Sequence, residues 1–186
     1  MLALAVLISL CGVRSAKSLS VADAMERALA LHHEADAAKG GIGGEGAAAA
    51  SRAAQLYRAV ISTLPTHAHA LHNLGVLQHS GGNNAAAERH VAAAVAAATS
   101  SNAARAPADV ITFLNTLGVV RRARGRLHSA RAAYERALAV AARSPPAARV
   151  PPGAWRDTAC TPAVTDAARR VVAMLRDAPG TGGVNA

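Results

Sequence analysis

His69, His72 and His79 stand three and seven residues apart, a spacing that puts three imidazoles on one stripe of a helix. Imidazole titrates near neutral pH and is a common metal ligand, so the stripe offers two chemistries: a pH-sensitive binding surface or a metal site. Ligands stacked along one helix need a fourth group to close a tetrahedron, and neither His67 nor His90 is placed to supply it. No metal is therefore expected, and no other cofactor has a binding motif. The sequence also lacks a phosphate loop, a helical HExxH and a Ser or Cys nucleophile with a matching base. GGIGGEG at 40–46 has the glycines of a dinucleotide loop without the preceding strand, and reads as a flexible connection. A catalytic role is not expected.

Charge suggests another chemistry. The 186 residues carry a formal net charge of +9, and Arg121, Arg122, Arg124 and Arg126 cluster in one short stretch. Lys and Arg bind nucleic acid by releasing counterions from phosphates. Against that role, the basic residues are otherwise scattered through helical segments. With one Phe, two Tyr and one Trp, no base-stacking platform can be assembled. Nucleic acid is the disfavoured partner.

The elements that must position these groups are helices. Hydrophobic residues make up 52% of the chain but aromatics only 2%, so much of the apolar content is Ala. Ala forms helix well and buries little area, which calls for many closely packed thin helices. Apolar periodicity predicts helices over 20–38, 47–64, 68–79, 85–98, 108–123 and 127–143. The stretch 99–107 breaks the pattern, the Pro pairs of 145–161 make an extended linker, and 162–177 is a last helix with Val164, Ala168, Val171, Val172 and Leu175 on one face. Residues 178–186 read as a frayed tail.

MLALAVLISLCGV, at the start, is an apolar run of signal-peptide length with small residues near Ser15. Residues 1–15 are thus expected to be a leader into the secretory pathway and then to leave no membrane anchor, although the run carries no basic residue. The alternative is an apolar helix docked on the rest of a cytoplasmic protein. Loss of the leader leaves Cys160 alone, so the fold must stand without an internal disulfide.

The helices repeat. Leu71, Leu74, Gly75 and Gly82 recur 43 residues later as Leu114, Leu117, Gly118 and Gly125. Ala53, Tyr57 and Val60 are followed 34 residues later by Ala87, Val91 and Ala94, and these after 43 more by Ala130, Tyr134 and Ala137. A period near 34 with alternating small and large positions marks stacked helix pairs.

On these residues the stretch 47–144 resembles the tetratricopeptide repeat family. The resemblance implies an all-α, right-handed solenoid of antiparallel helix pairs, with a repeat domain over 20–144 and clear repeats at 68–101 and 111–144. The segment 20–38 lacks a Leu-Gly pair and is a degenerate partner of 47–64. The extra residues around 102–110 resemble the longer repeats of kinesin light chains, and together the degenerate pair and the 162–177 helix would cap the array. In this family the first helix of each pair lines a concave groove that holds a partner. On that register His69, His72, Asn73, Val76 and His79 line the groove from one repeat, and Thr112, Asn115, Val119 and Arg122 from the next.

The resemblance therefore implies a non-catalytic scaffold that binds a protein or peptide. Asn73 and Asn115 could bond an extended backbone and Arg122 a carboxylate. The family's clamp for chaperone tails needs Lys and Asn where this chain has His72 and Val76, and is not expected. A second reading is an accessory or fragment of a glycosyltransferase-like enzyme, because repeats written LHNLGVL resemble those preceding such catalytic domains.

Overall fold

The computed structural model describes residues 19–38, 44–100 and 106–144. The expected leader at 1–15, the linker at 145–161, the helix at 162–177 and the tail at 178–186 lie outside the described residues. Six helices follow one another with no strand among the described residues: α1 (Val21–Ala37), α2 (Glu45–Thr63), α3 (Ala68–Ser80), α4 (Asn84–Ser100), α5 (Pro107–Ala123) and α6 (Leu127–Arg143). α1 packs chiefly on α2, α3 on α4 and α5 on α6, while α2–α3, α4–α5 and α3–α5 contacts stack the pairs. The protein is an all-α helical-repeat solenoid.

Local chemistry sets the helix ends. Ser20 caps α1 by accepting from the Asp23 backbone N–H at 3.1 Å. Pro65 restricts Leu64 to an extended conformation (ψ 86°), so α2 stops at Thr63. His67 caps α3 through Nδ1, which accepts from the Ala70 N–H at 3.2 Å.

The repeated glycines close two identical turns. Gly82 and Gly125 have φ of +80° and +73°, the left-handed region that residues with a Cβ rarely enter. Around them, Asn83 N–H donates to Gln78 O at 2.8 Å and Arg126 N–H to Arg121 O at 2.9 Å. Gly82 N–H and Gly125 N–H reach back to His79 O and Arg122 O, both at 2.9 Å. These paired bonds are a Schellman motif, which satisfies the last carbonyls of α3 and α5.

The Leu-Gly pair has a packing cause. A Cβ at Gly75 would lie 2.5 Å from Val91 Cγ2 and 3.2 Å from Ala87 O, and one at Gly118 would lie 2.5 Å from the Tyr134 ring. The two helices of each pair thus approach closely only where the first carries Gly. Leu74, Leu114 and Leu117, beside these glycines, are almost fully buried. The same closeness begins α2: Gly46, predicted to lie in a loop, is helical, and a Cβ there would meet Ala38 Cβ at 2.9 Å. Residues 39–43 of the Gly-rich stretch lie outside the described residues.

Two further boundaries differ from expectation. α4 runs through Thr99 and Ser100, whose hydroxyls bond back to the helix, Thr99 Oγ1 to Val95 O at 2.9 Å, so polar residues here extend the helix instead of ending it. α5 starts at Pro107, where the fixed φ and missing N–H of proline suit a first turn.

Candidate functional site

A chain of hydrogen bonds crosses four helices. His32 Nδ1 on α1 lies 3.4 Å from the Tyr57 hydroxyl on α2, and the Asn73 amide on α3 bonds that same hydroxyl. Asn73 Oδ1 lies 3.2 Å from His72 Nδ1, and His72 Nε2 lies 3.0 Å from Thr116 Oγ1 on α5. Phe113, one turn before Thr116, carries the His72 ring on its face, with centroids 4.7 Å apart and planes inclined at 34°.

Burial governs the ionisation of this chain. His72 is buried, which pushes it down to about 4; the Asn73 bond and Asp109 pull it up, while the charges of His69 and His32 push it further down. Burial likewise lifts the Tyr57 phenol above its ordinary range, against the lowering bond from Asn73 and with a small push from Asp36. The proton on His72 follows from its neighbours. The Asn73 oxygen that faces Nδ1 can only accept, so neutral His72 carries its proton on Nδ1 and leaves Nε2 to accept from the Thr116 hydroxyl, which also lies 3.0 Å from Thr112 O. The Asn73 NH2 group is then left to donate to the Tyr57 oxygen.

The structure corrects the expectation that His72 lines an open groove. It is 5% exposed, and both ring nitrogens are engaged between α3 and α5. The other sites fall as follows. His69 is half-buried, with Nε2 3.4 Å from Asp109 Oδ2 and its ring edge-on to Phe113 at 5.5 Å. His79 turns to its own helix connection, Nδ1 lying 2.5 Å from Asn84 Oδ1. Thr112 Oγ1 donates to Ala108 O at 2.9 Å. Val76 is half-buried; Val119, also half-buried, packs on Ala130 and Tyr134, and Arg122 is exposed. The Asn115 amide is buried with no hydrogen-bond partner on either Oδ1 or Nδ2. The three stripe histidines thus face different polar partners, while His69 and His72 share the Phe113 ring. Among the described residues, no group of three His, Cys, Asp or Glu could hold a metal ion.

Sequence reasoning did not single out His32, Tyr57, Asp109, Phe113 or Thr116 as parts of this site. Thr116 was within reach, because it stands 43 residues after Asn73 and takes the same place on the next first helix. His32 carries no such signal, since α1 lacks the Leu-Gly register.

The arginine cluster has a partner that sequence reasoning also missed. Glu88 on α4 is buried and accepts from Arg121 Nε at 3.2 Å, from Arg126 at 3.2 Å and from Arg124. Arg121 donates in addition to Ser129 O at 3.2 Å. The fourth member, Arg122, bonds Tyr134. Burial alone would raise the Glu88 carboxyl, but the bonds from Arg124 and Arg121 and the charges of Arg126 and Arg124 outweigh it and hold it below the usual carboxylate range. Three of the four arginines that raised the nucleic-acid reading thus bind α4 to the α5–α6 turn.

Replacing Glu88 with Gln is expected to cost about 1–3 kcal/mol, as it leaves three guanidiniums facing a neutral group. The figure sits below that for a fully buried pair because the Arg126 side chain is 53% exposed. Because the folded pKa is depressed, the contribution of Glu88 is complete above its ordinary value of 4.5 and is lost as pH falls through the folded value. Urea titrations of both proteins at pH 7 and pH 3 check this: the gap between them should shrink at the lower pH.

No protein-family model matches the sequence, and no curated protein matches it. Solved structures do. The chain is similar to the first tetratricopeptide-repeat domain of Spaghetti (RPAP3) bound to the HSP90 peptide SRMEEVD, with 17% identity and a TM-score of 0.51 over 82% of this chain and 95% of that one. It is also similar to the N-terminal domain of stress-induced protein-1 from C. elegans, with 14% identity and a TM-score of 0.50 over 80% and 96%. A third similar structure is BtubC (BKLC) from P. vanneervenii, with 16% identity and a TM-score of 0.52 over 86% and 68%. The chain has the tetratricopeptide-repeat fold.

Proposed function

We propose that the protein is a non-catalytic interaction module whose first-helix face, formed by α3 and α5, binds a peptide or protein segment. The observation that carries this reading is the division of labour along the two first helices. His72, Asn73 and Thr116 are spent on bonds within and between the helices, which hold the face rigid. Val76, Val119 and Arg122 keep exposed surface on these helices: two half-buried valines, of which Val119 also packs on α6, and one exposed cation that also bonds Tyr134. A surface ordered before binding loses less entropy when a partner arrives. The similar Spaghetti domain was solved with a peptide bound, which supports a peptide as the class of ligand.

The chemistry of the face narrows the partner. Arg122 is the only Lys or Arg on α3 and the face of α5 outside the cluster bound to Glu88. A ligand with many carboxylates would find one counter-charge, so the fitting segment is mainly apolar with a single acidic group or chain terminus for Arg122.

Affinity capture with the full chain tests this, comparing it with a variant carrying Val76→Glu, Val119→Glu and Arg122→Ala. Partner recovery should fall at least about tenfold, the equivalent of 1.4 kcal/mol, and should persist for the unchanged chain at high salt because the contacts are mainly apolar. Full recovery by a folded variant would show that the face is not the binding surface.

A further inference from the structure

The two glycine turns share a backbone and differ in charge. A shift of 43 sets Gln78, Gly81 and Asn83 of the α3–α4 turn on Arg121, Arg124 and Arg126 of the α5–α6 turn. Both turns close with the same Schellman bonds, so this backbone forms without any cation. The exchange even removes a cap: Asn83 Oδ1 accepts from the Ala86 N–H at 3.2 Å at the start of α4, whereas the Arg126 side chain makes no such bond at the start of α6. The three arginines therefore answer a demand other than turn formation.

Glu88 meets only part of that demand. Its one negative charge faces three guanidiniums, which leaves the cluster with a surplus of positive charge, although one forked arginine would be enough to tie a carboxylate. The hydrogen bonds leave the same surplus. Glu88 accepts from Arg121 Nε, from Arg124 Nη1 and from Arg126 Nη1, and Ser129 O accepts from Arg121 Nη1. Each guanidinium carries five N–H groups, so most of them have no acceptor among the described residues. The carboxylate is buried, while the Arg124 and Arg126 side chains are 28% and 53% exposed and can be reached from solvent.

We propose that Arg121, Arg124 and Arg126 form a binding site for a phosphate monoester, carried as phosphoserine or phosphothreonine on a protein partner. Such a group brings nearly two negative charges and three acceptor oxygens, which match the surplus charge and the forked donors. A nucleic-acid strand fits less well, because it takes a track of cations and exposed rings for its bases. Here the cations converge on Glu88, and Tyr57, Phe113 and Tyr134 are buried. A protein as the carrier rests on the interaction-module reading, whereas the oxyanion site shares no residue with Val76, Val119 and Arg122 and stands without it.

NMR titrations of the full chain at constant ionic strength, read at the amides of 121–129, test the site with inorganic phosphate, doubly capped phosphoserine and an oligouridylate as probes. Both phosphate probes should bind, and Arg126→Gln should weaken each at least about fivefold. Arg126 is the most exposed of the three, so this variant keeps the fold. Glu88→Gln removes the competing carboxylate and should tighten phosphate binding even as it weakens the fold, an effect that a purely structural cluster lacks. Failure of both phosphate probes to bind the unchanged chain overturns the proposal, as does binding that Arg126→Gln leaves intact. Binding of inorganic phosphate without capped phosphoserine overturns the protein-borne carrier, and so does oligouridylate binding more than about a hundredfold tighter than that of capped phosphoserine. Loss of partner capture by the Val76, Val119 and Arg122 variant, by contrast, reports on the α3–α5 face alone.

Discussion

Phe113→Ala should lower the free energy of unfolding by about 3–5 kcal/mol, the range for truncating a fully buried aromatic. Phe113 is the only Phe in the chain and is 2% exposed. Its ring joins a cluster drawn from four helices, including Leu71 of α3, Val91 and Val95 of α4, Leu117 of α5 and Ala133 of α6, and both His69 and His72 stack against it. The cost should lie toward the upper end because so many neighbours are alanines, including Ala68, Ala94, Ala98 and Ala137. Alanine has no side-chain torsion by which to move into a cavity, so the space stays empty. Urea unfolding followed by circular dichroism measures the effect, with Leu127→Ala as control. Leu127 is 37% exposed, and its truncation should cost less than about 0.5 kcal/mol. Equal costs at the two sites would mean that the cluster around Phe113 is not the centre of the core.

The second large effect is a loss of stability in mild acid, traceable to His72. Its folded pKa is pushed down to about 4 from the ordinary 6.5, so the unfolded chain takes up a proton before the folded one does. Stability is therefore complete above pH 6.5 and is lost as pH falls through the window between 6.5 and 4. A difference of that size corresponds to about 3 kcal/mol at the acid end. Protonation puts an N–H on both ring nitrogens, so Nε2 ceases to accept from Thr116 and the α3–α5 contact is disturbed. Titrations in urea at pH 7.5, 5.5 and 4.5 should show the decline in the unchanged protein, and His72→Gln should flatten it at the cost of some stability at pH 7.5. The charged groups facing His72 are His69, His32 and Asp109. Equal stability of the unchanged protein at pH 7.5 and 4.5 would place the His72 ring in solvent.

The two repeated glycine turns and the Leu-Gly pairs were legible in the sequence because each answers a local or pairwise demand. Gly82 and Gly125 supply a left-handed residue to a turn whose hydrogen bonds lie within six residues, and Gly75 and Gly118 admit the helix that follows next in the chain. Demands of that kind recur at fixed spacing, so a repeat reveals them. The helical beginning at Glu45 was not legible, because a dense run of glycines masks the one, Gly46, that serves helix packing against Ala35 and Ala38. His72 was misplaced for a related reason. The register put it on the first-helix stripe, but a stripe has width, and the residue on its α5 side is covered by the next pair.

Glu88 shows the same limit more sharply. On α4 it reads as one solvated acid among alanines, and 33 or more residues separate it from the arginines it binds. By itself the sequence determined the helices, their turns and their pairing, since these depend on short-range backbone geometry and on periodic volume. Only the tertiary structure decided which polar groups are spent in the interior and which stay at the surface. That choice depends on which side chains the stacking of one pair on the next removes from water, and the energy of a buried imidazole or carboxylate is set by partners that no local pattern names.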